Sequence, residues 1–347
     1  MSWLLVVLAC GLDHLVGDPR RCLHPVVVMG WCISRLRWLA EAWACGRPRR
    51  LRLAGVLITM LLVGCSGLAG WSLEWLALSH QGGLVAAALR PLAQLMVVIG
   101  LASALAGRSL AWEVRQVLAL LPDLPAARER LAWIVGRDTD DLSEPEILRA
   151  LAETASENGV DGLLAPLFWM LVGSALGHPL ALAWAFKAAS TLDSMLGYRR
   201  GDLRWLGTAG ARLDDVLVWL PCRLVLVTLP IVADPSRCVR QPSWLWQLWS
   251  RGLADGAPDP SPNAGVSQAA YAHVLGVRLG GANRYGGQWR CKPVLAGDCD
   301  PADEVAVARM LRLNSQLALV WLLLAGVLVI PWPWSASLNA FITKALS

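Results

Sequence analysis

The chain has 347 residues, of which 56% are hydrophobic and only 16% charged, against roughly 25% charged in soluble proteins. That balance excludes an ordinary soluble globule. The net charge of +5 comes mostly from arginines beside apolar stretches, with no basic–aromatic platform, which argues against nucleic-acid binding. Nine cysteines, odd in number and without C-x-x-C or metal-type spacing, read as free thiols in reduced surroundings rather than as a disulfide framework.

Segment lengths decide for a membrane. A spanning helix needs about 20 apolar residues, with a range of roughly 17–25. Leu53–Leu73 runs 21 residues without a charge, Pro91–Gly107 runs 17 and Leu313–Thr343 runs 31, while Val216–Ala233 is interrupted only by Arg223. The fold class expected is all-α: a polytopic integral membrane protein with about four to five transmembrane helices, a re-entrant or broken helical segment, and cytoplasmic helical and loop regions. One domain covers 1–347, with polar cytoplasmic segments at approximately 108–160, 187–215 and 234–312.

In chain order, SWLLVVLAC is too short to span and lacks the basic start and cleavage site of a signal peptide, so a retained partial or interfacial helix is expected. Asp13, His14, Asp18, Arg20, Arg21 and His24 then crowd charge and imidazole into twelve residues of an otherwise apolar chain. An ordinary turn explains Gly17-Asp18-Pro19; the density around it points to a site. Six arginines within Arg35–Arg52, against only Glu41, mark a cytoplasmic stretch. Leu53–Leu73 crosses outward from it, Glu74–Arg90 forms an external loop anchored by Trp71 and Trp75, and Pro91–Gly107 crosses back. In the polar segment that follows, Trp112, Val114, Val117 and Leu121 suggest an amphipathic helix. Asp138–Glu146 reads as a loop leading into the helix at Arg149.

Arg149–Trp169 begins polar and ends apolar, and Glu153, Glu157 and Asp161 at the changeover are spaced i, i+4, i+8. That spacing stacks three carboxylates on one helix face, where like charges repel unless a cation joins them. A solvated helix face is the bland alternative. Carboxylates at the mouth of an apolar segment instead point to a functional site. Leu163–Phe186 is long enough to span but is broken by Gly177-His178-Pro179. Arginines flank it on both sides, so both flanks are expected in the cytoplasm, as a re-entrant helical hairpin allows.

Beyond it, Lys187, Thr191 and Ser194 share a helix face suited either to membrane anchoring or to phosphate, with Asp193 nearby. Ala211–Asp215 again sets acid beside arginine at the entry to an apolar segment. Asp234–Asn283 is expected to be mostly loop, with a helix leading to Gly276, and the glycines of Gly276–Gly281 follow no predicted strand, so they are no dinucleotide fingerprint. Leu313–Ile330 makes the last crossing, and Pro331-Trp332-Pro333-Trp334 marks an interface.

No Walker A, G-x-S-x-G or H-E-x-x-H motif occurs. Asp161-Gly162-Leu163-Leu164-Ala165 starts like the motif of membrane CDP-alcohol phosphotransferases, but Pro166 stands where an arginine should follow. Asp214-Asp215 is followed by Val216, Leu217 and Val218, which rules out a prenyltransferase D-D-x-x-D.

Six blocks in order instead resemble the CobD/CbiB family of membrane cobinamide-phosphate synthases. They are Asp13…GDPRR…His24-Pro25, SENGVDGLLAPLFW at Ser156–Trp169, FKAASTLDSMLGYR at Phe186–Arg199, ARLDDV at Ala211–Val216, PSPNAG at Pro260–Gly265 and LGVRLGG at Leu275–Gly281. Phe186, Ser190 and Val266 depart from the residues usual in the family, which bears on substrate preference more than on reaction type.

The resemblance implies an enzyme of cobalamin biosynthesis in the cell inner membrane, multi-pass, with its active site facing the cytoplasm. Its reaction would join aminopropanol, or its O-phosphate, to a propionate of adenosylcobyric acid, a corrinoid, with ATP and Mg²⁺. Phosphoryl transfer of this kind is mostly charge management. Glu153, Glu157, Asp161, Asp214 and Asp215 are then the candidate metal ligands, and Glu157, Asp193, Asp13, Asp18 and His24 (with His14 as a second base) the catalytic candidates. Lys187, Thr191, Arg199, Arg212, Asn263, Arg278, Ser156 and Asn158 are the candidates for binding substrate and phosphate. The lipid bilayer and other enzymes of the pathway are the implied partners, and nucleic acid is not. A transporter and a non-catalytic sensor of the same family stay open as alternatives; the missing second copy of the Gly-His-Pro break speaks against the first, and the full set of acidic blocks against the second.

Overall fold

The structure is a computed structural model and describes residues 2–17, 24–78, 84–198 and 200–329, so Asp18, Arg199 and the Pro331–Trp334 stretch lie outside the described residues. The short apolar N-terminal helix is α1 (Ser2–Leu15). His24 caps α2 (Pro25–Ala44), its Nδ1 accepting the Val26 N–H at 3.3 Å, and Pro25 fits the first turn, where no donor is needed. α3 (Pro48–Leu78) has 31 residues and would reach about 46 Å. It therefore carries the apolar run past Leu73 and takes in Glu74, which the sequence reading assigned to a loop. α4 (Leu84–Ala102) and α5 (Gly107–Ala119) follow, bent by 42° over Arg90–Ala119. Gly107 sits at that bend because a Cβ there would lie 2.9 Å from Asp13 Oδ2.

After α6 (Leu124–Leu131), a Ser143/Glu146 capping box opens α7 (Glu144–Gly159). α7 passes through a π-helical turn at Val160–Leu164 into α8 (Ala165–Leu176), and the 33-residue run Glu144–Leu176 is long and apolar enough to cross a membrane. Gly177, in the left-handed region at φ +85°, stops α8, and α9 (Pro179–Leu196) folds back along it. The broken segment expected from Gly-His-Pro is thus a helical hairpin. Its tip is held by Glu74, buried in α3, whose carboxylate accepts the Leu180 N–H at the start of α9, with His178 Nδ1 3.7 Å away. Below the tip, α9 packs closely on α3: a Cβ at Gly70 would meet the Leu180 carbonyl at 2.8 Å.

α10 (Leu203–Leu206) leads to α11 (Thr208–Ala233), a third apolar run of crossing length after α3 and Glu144–Leu176. The stretch expected to be mostly loop holds two further helices, α12 (Pro235–Arg240) and α13 (Pro242–Gly256), and the helix expected before Gly276 is α14 (Ala264–Leu275). Pro235 and Pro242 stand in the first turns of α12 and α13, where proline starts helices rather than breaking them.

Gly276, at φ +68°, ends α14, and Gly280 and Gly281, the other glycines of the pattern that suggested no strand, lie within β1 (Val277–Tyr285). β1 pairs antiparallel with β2 (Gln288–Leu295) through Gly286-Gly287, both at positive φ as a type I′ turn requires, and parallel with β3 (Asp300–Pro301). α15 (Glu304–Val329) closes the described chain. Among the described residues, four helical runs have crossing length and apolarity, or five if the bent α4–α5 pair counts as one. The fold is a polytopic helical membrane protein carrying one small sheet.

Candidate functional site

The acids of the predicted stack serve three different neighbours. Glu153 is buried and both its oxygens are committed to the protein: Oε2 to Arg137 and Oε1 to the Gly280 N–H at 2.9 Å. It anchors the sheet, and a metal there would compete with both donors. Four residues on, Glu157 turns toward α14 and accepts the Gln268 side-chain N–H at 2.5 Å through Oε2. Asp161, within the π turn, lies in Coulombic reach of Asp193 and Lys187 on α9, Asp214 on α11, and Glu157. A π turn carries an extra residue and opens the helix, which fits its frequent use at functional sites. Its position is braced by Asn314 of α15, whose Nδ2 donates to Ala155 at 2.9 Å and whose amide fills the space a Cβ at Gly159 would need.

The core of the site is therefore assembled from three helices. Asp193 feels Asp215 and Glu157, and Asp214 feels Asp193, Asp215 and Lys187. Asp214 Oδ1 is buried and has no hydrogen-bond partner among the described residues. Four aspartates, with Lys187 beside Asp161 and Asp214, leave excess negative charge that a cation would relieve. Among the described residues no three His, Cys, Asp or Glu side chains form a ready-made metal cage. The set suits a hard divalent ion held by one or two carboxylates with substrate phosphates completing the shell.

Other predicted residues are placed elsewhere. Ser156 and Thr191 are buried, with hydroxyls bonded back into their own helices, to Ala152 at 2.8 Å and Lys187 at 2.7 Å. Asn263 is a cross-link: its Nδ2 donates to the Asp215 carbonyl at 2.8 Å and its Oδ1 accepts from Arg223 at 2.6 Å, tying the start of α14 to α11. Arg278 is exposed and lines a separate cavity of about 370 Å³ with Arg149, Gly280 and Pro301. Arg212 is exposed on α11, and Asp13 is buried beside Gly107. His24 lends its Nδ1 to the α2 cap.

Sequence reasoning missed a second wall. A polar cavity of about 200 Å³ opens beside Glu157, lined by Ile134–Arg137, Glu153, Thr154, Asn158, Tyr285 and Lys292. Lys292 sits 3.9 Å from Asp259. Burial works against its ammonium, yet Glu157, Asp259, Tyr285 and Glu153 together hold its pKa above the ordinary value, so it is charged at neutral pH. The signal available in the sequence was rarity: Lys292 is one of three lysines in a chain whose cations are otherwise arginine.

Fold and site together define a polytopic helical membrane protein with an acid-rich centre where apolar helices meet a polar sheet. The CobD/Cbib protein family matches residues 6–314, and the chain belongs to that family. It is 41% identical over 323 residues to the cobalamin biosynthesis protein CobD of Synechocystis, covering 92% of this chain and 89% of the relative. It is 40% identical over 312 residues to the protein of that name from Pelobacter propionicus, covering 89% and 90%. Against the cobalamin biosynthesis protein CbiB of Salmonella typhimurium it is 36% identical over 333 residues, covering 94% and 98%. No solved structure matches the chain.

Proposed function

We propose that this protein acts in cobalamin biosynthesis as an ATP-dependent ligase, joining aminopropanol or its O-phosphate to a propionate of adenosylcobyric acid through an amide bond. The observation that carries this reading is the grouping of Asp161, Asp193, Asp214 and Asp215, with Lys187 beside Asp161 and Asp214, next to Glu157 and a polar cavity. A carboxylate does not acylate an amine at neutral pH unactivated. In the amide formed, the amine has lost a proton and the carboxylate an oxygen, which leaves with the phosphoryl group taken from ATP.

Mg²⁺, when bound with ATP, neutralises phosphate charge and polarises the transferring group. Asp161, Asp193, Asp214 and Asp215 would hold it, with the unpartnered Asp214 Oδ1 as the oxygen most in need of a cation. Lys187 stands beside these acids as a compact charge for phosphate. Glu157 faces the cavity and accepts a proton or an ammonium hydrogen bond from the amine. Asn263 positions the wall, and Glu153, bound to Arg137 and the Gly280 N–H, orients the cavity lining. The multi-pass fold supports a seat in the cell inner membrane, and the arginine flanks of the site favour its facing the cytoplasm.

The test is direct. Purified protein in lipid nanodiscs should convert adenosylcobyric acid, ATP, Mg²⁺ and an aminopropanol donor to a cobinamide product, with ADP or AMP released stoichiometrically. Absence of corrinoid amidation with either donor, in a preparation that is folded and saturated with all components, would overturn the reading.

A further inference from the structure

We infer that the cavity beside Glu157 is the amino-alcohol subsite: it takes a short zwitterion, with the ammonium on Glu157 and the anionic end on Lys292. This rests on the ligase reading and adds to it which substrate enters where. Size makes the first selection. At about 200 Å³ the cavity falls below the roughly 300–1,000 Å³ of pockets for drug-sized ligands, so neither ATP nor a corrinoid fits. A three-carbon amino alcohol phosphate does.

Charge makes the second. The lining carries two cations, Arg137 and Lys292, and two carboxylates, Glu153 and Glu157. Arg137 and Glu153 are bound to each other, with 7% and 2% of their side chains exposed. That leaves Lys292 and Glu157 as the pair facing the opening. Lys292 makes no hydrogen bond among the described residues, only the long 3.9 Å contact to Asp259, although an ammonium has three donors to place. Glu157 uses Oε2 for Gln268 and has no partner for Oε1 among the described residues. A balanced but separated pair of charges complements a zwitterion better than a simple anion or cation.

Placement makes the third. Glu157 is also the residue that couples the cavity to the aspartates of the helical centre, so an amine held on it faces the place where a carboxylate would be activated. The sheet sets the opposite wall. The irregularity at Gly280/Gly281 fixes the register that pairs Gly281 with Lys292, and the Gly280 N–H on Glu153 docks that register against α7.

The experiment is calorimetric titration of the full-length protein in nanodiscs with 1-amino-2-propanol O-phosphate, without ATP or corrinoid. Saturable one-to-one binding is expected, with 1-amino-2-propanol alone and inorganic phosphate alone each binding at least about tenfold more weakly. Lys292→Met should weaken the zwitterion at least about tenfold and leave corrinoid binding intact, and Lys292→Arg should recover part of the loss. Wild-type affinity in Lys292→Met would overturn the subsite. Should that variant also lose corrinoid binding, Tyr285→Phe and Asn158→Ala decide the matter, and unchanged zwitterion affinity in both overturns it. The ligase reading fails separately: zwitterion binding without amide formation removes the ligase and keeps the subsite. Amide formation with an unchanged KM for the amino alcohol in a folded Lys292→Met protein removes the subsite and keeps the ligase.

Discussion

Arg137 and Glu153 form a buried ion pair that ties the loop before α7 to α7 itself, and through the Gly280 N–H on the same carboxylate to the sheet. Asn283 extends the tie, accepting from Arg137 at 2.8 Å and from Arg149 at 3.1 Å. Breaking a buried pair from one side leaves the other charge uncompensated, at about 3–5 kcal/mol. Arg137→Ala should therefore lower thermal stability and speed deuterium exchange at the Gly280 amide. Pairing it with Glu153→Leu should recover part of the loss. Exchange at Gly280 unchanged in Arg137→Ala would show that the sheet docks without this pair.

Glu157→Gln should insert and fold normally yet lose turnover by about 10²–10³-fold, the scale of losing one well-placed electrostatic contact in a transition state. The amide keeps the Gln268 contact possible but cannot take a proton. Initial rates of amide formation at saturating Mg²⁺ check this, and near-wild-type rates would remove Glu157 from the reaction.

Lys187 separates phosphate binding from membrane anchoring. An anchor tolerates arginine, because both cations satisfy the same placement. A point charge seated among Asp161 and Asp214 does not, since the planar guanidinium fills different space. Lys187→Arg should lose most activity and Lys187→Ala more, as a raised KM for ATP if the contact exists in the ground state and as a lower kcat if it forms later.

The α8–α9 hairpin sends the chain out and back, so positions near Arg137 and Arg204 should lie on one side of the membrane. Single cysteines placed there in a cysteine-free background should both react with an impermeant thiol reagent from the same side. Glu74 holds the tip. Glu74→Ala, which strips the cap from the Leu180 N–H, should increase protease access at Gly177–Pro179 without reversing that labelling.

Asp138 predicts a local pH dependence. The N–H groups of Gly287 and Gly286, with Arg284, hold its carboxyl below the ordinary aspartate range. A depressed folded-state pKa gives stability that is present above the unfolded value, about 3.9, and is lost as pH falls through the folded one. Protection of the β1–β2 turn amides should therefore decay as pH drops below about 4. Asp138→Asn should be less protected at neutral pH and flat across that range.

Much of the fold was legible because its signals are local. Uncharged runs of crossing length, Gly177-His178-Pro179 at the hairpin tip and the Ser143/Glu146 cap all act within a few residues of themselves. The sheet was not legible, since Gly280 and Gly281 weaken a strand locally and only make sense where Glu153 and Arg149 meet their backbone. Glu74 was assigned to a loop because a buried carboxylate is unfavourable until another helix offers its N-terminus. Lys292 and Gln268 carried no motif; more than a hundred residues separate each from Glu157.

By itself, then, the sequence determined that the chain lives in a membrane, where its helices break, and which acids stand at their polar ends, because length, hydropathy and helical spacing are properties of contiguous residues. Only the tertiary structure decided which acids share a site. Helical periodicity put Glu153, Glu157 and Asp161 on one face, but partners are set by what packs against that face. Arg137 and the sheet claim Glu153, α14 and the cavity claim Glu157, and α9 and α11 bring Asp193, Asp214 and Lys187 to Asp161. Charges choose partners across space, and the spatial neighbours of these three come from elements far apart in the chain.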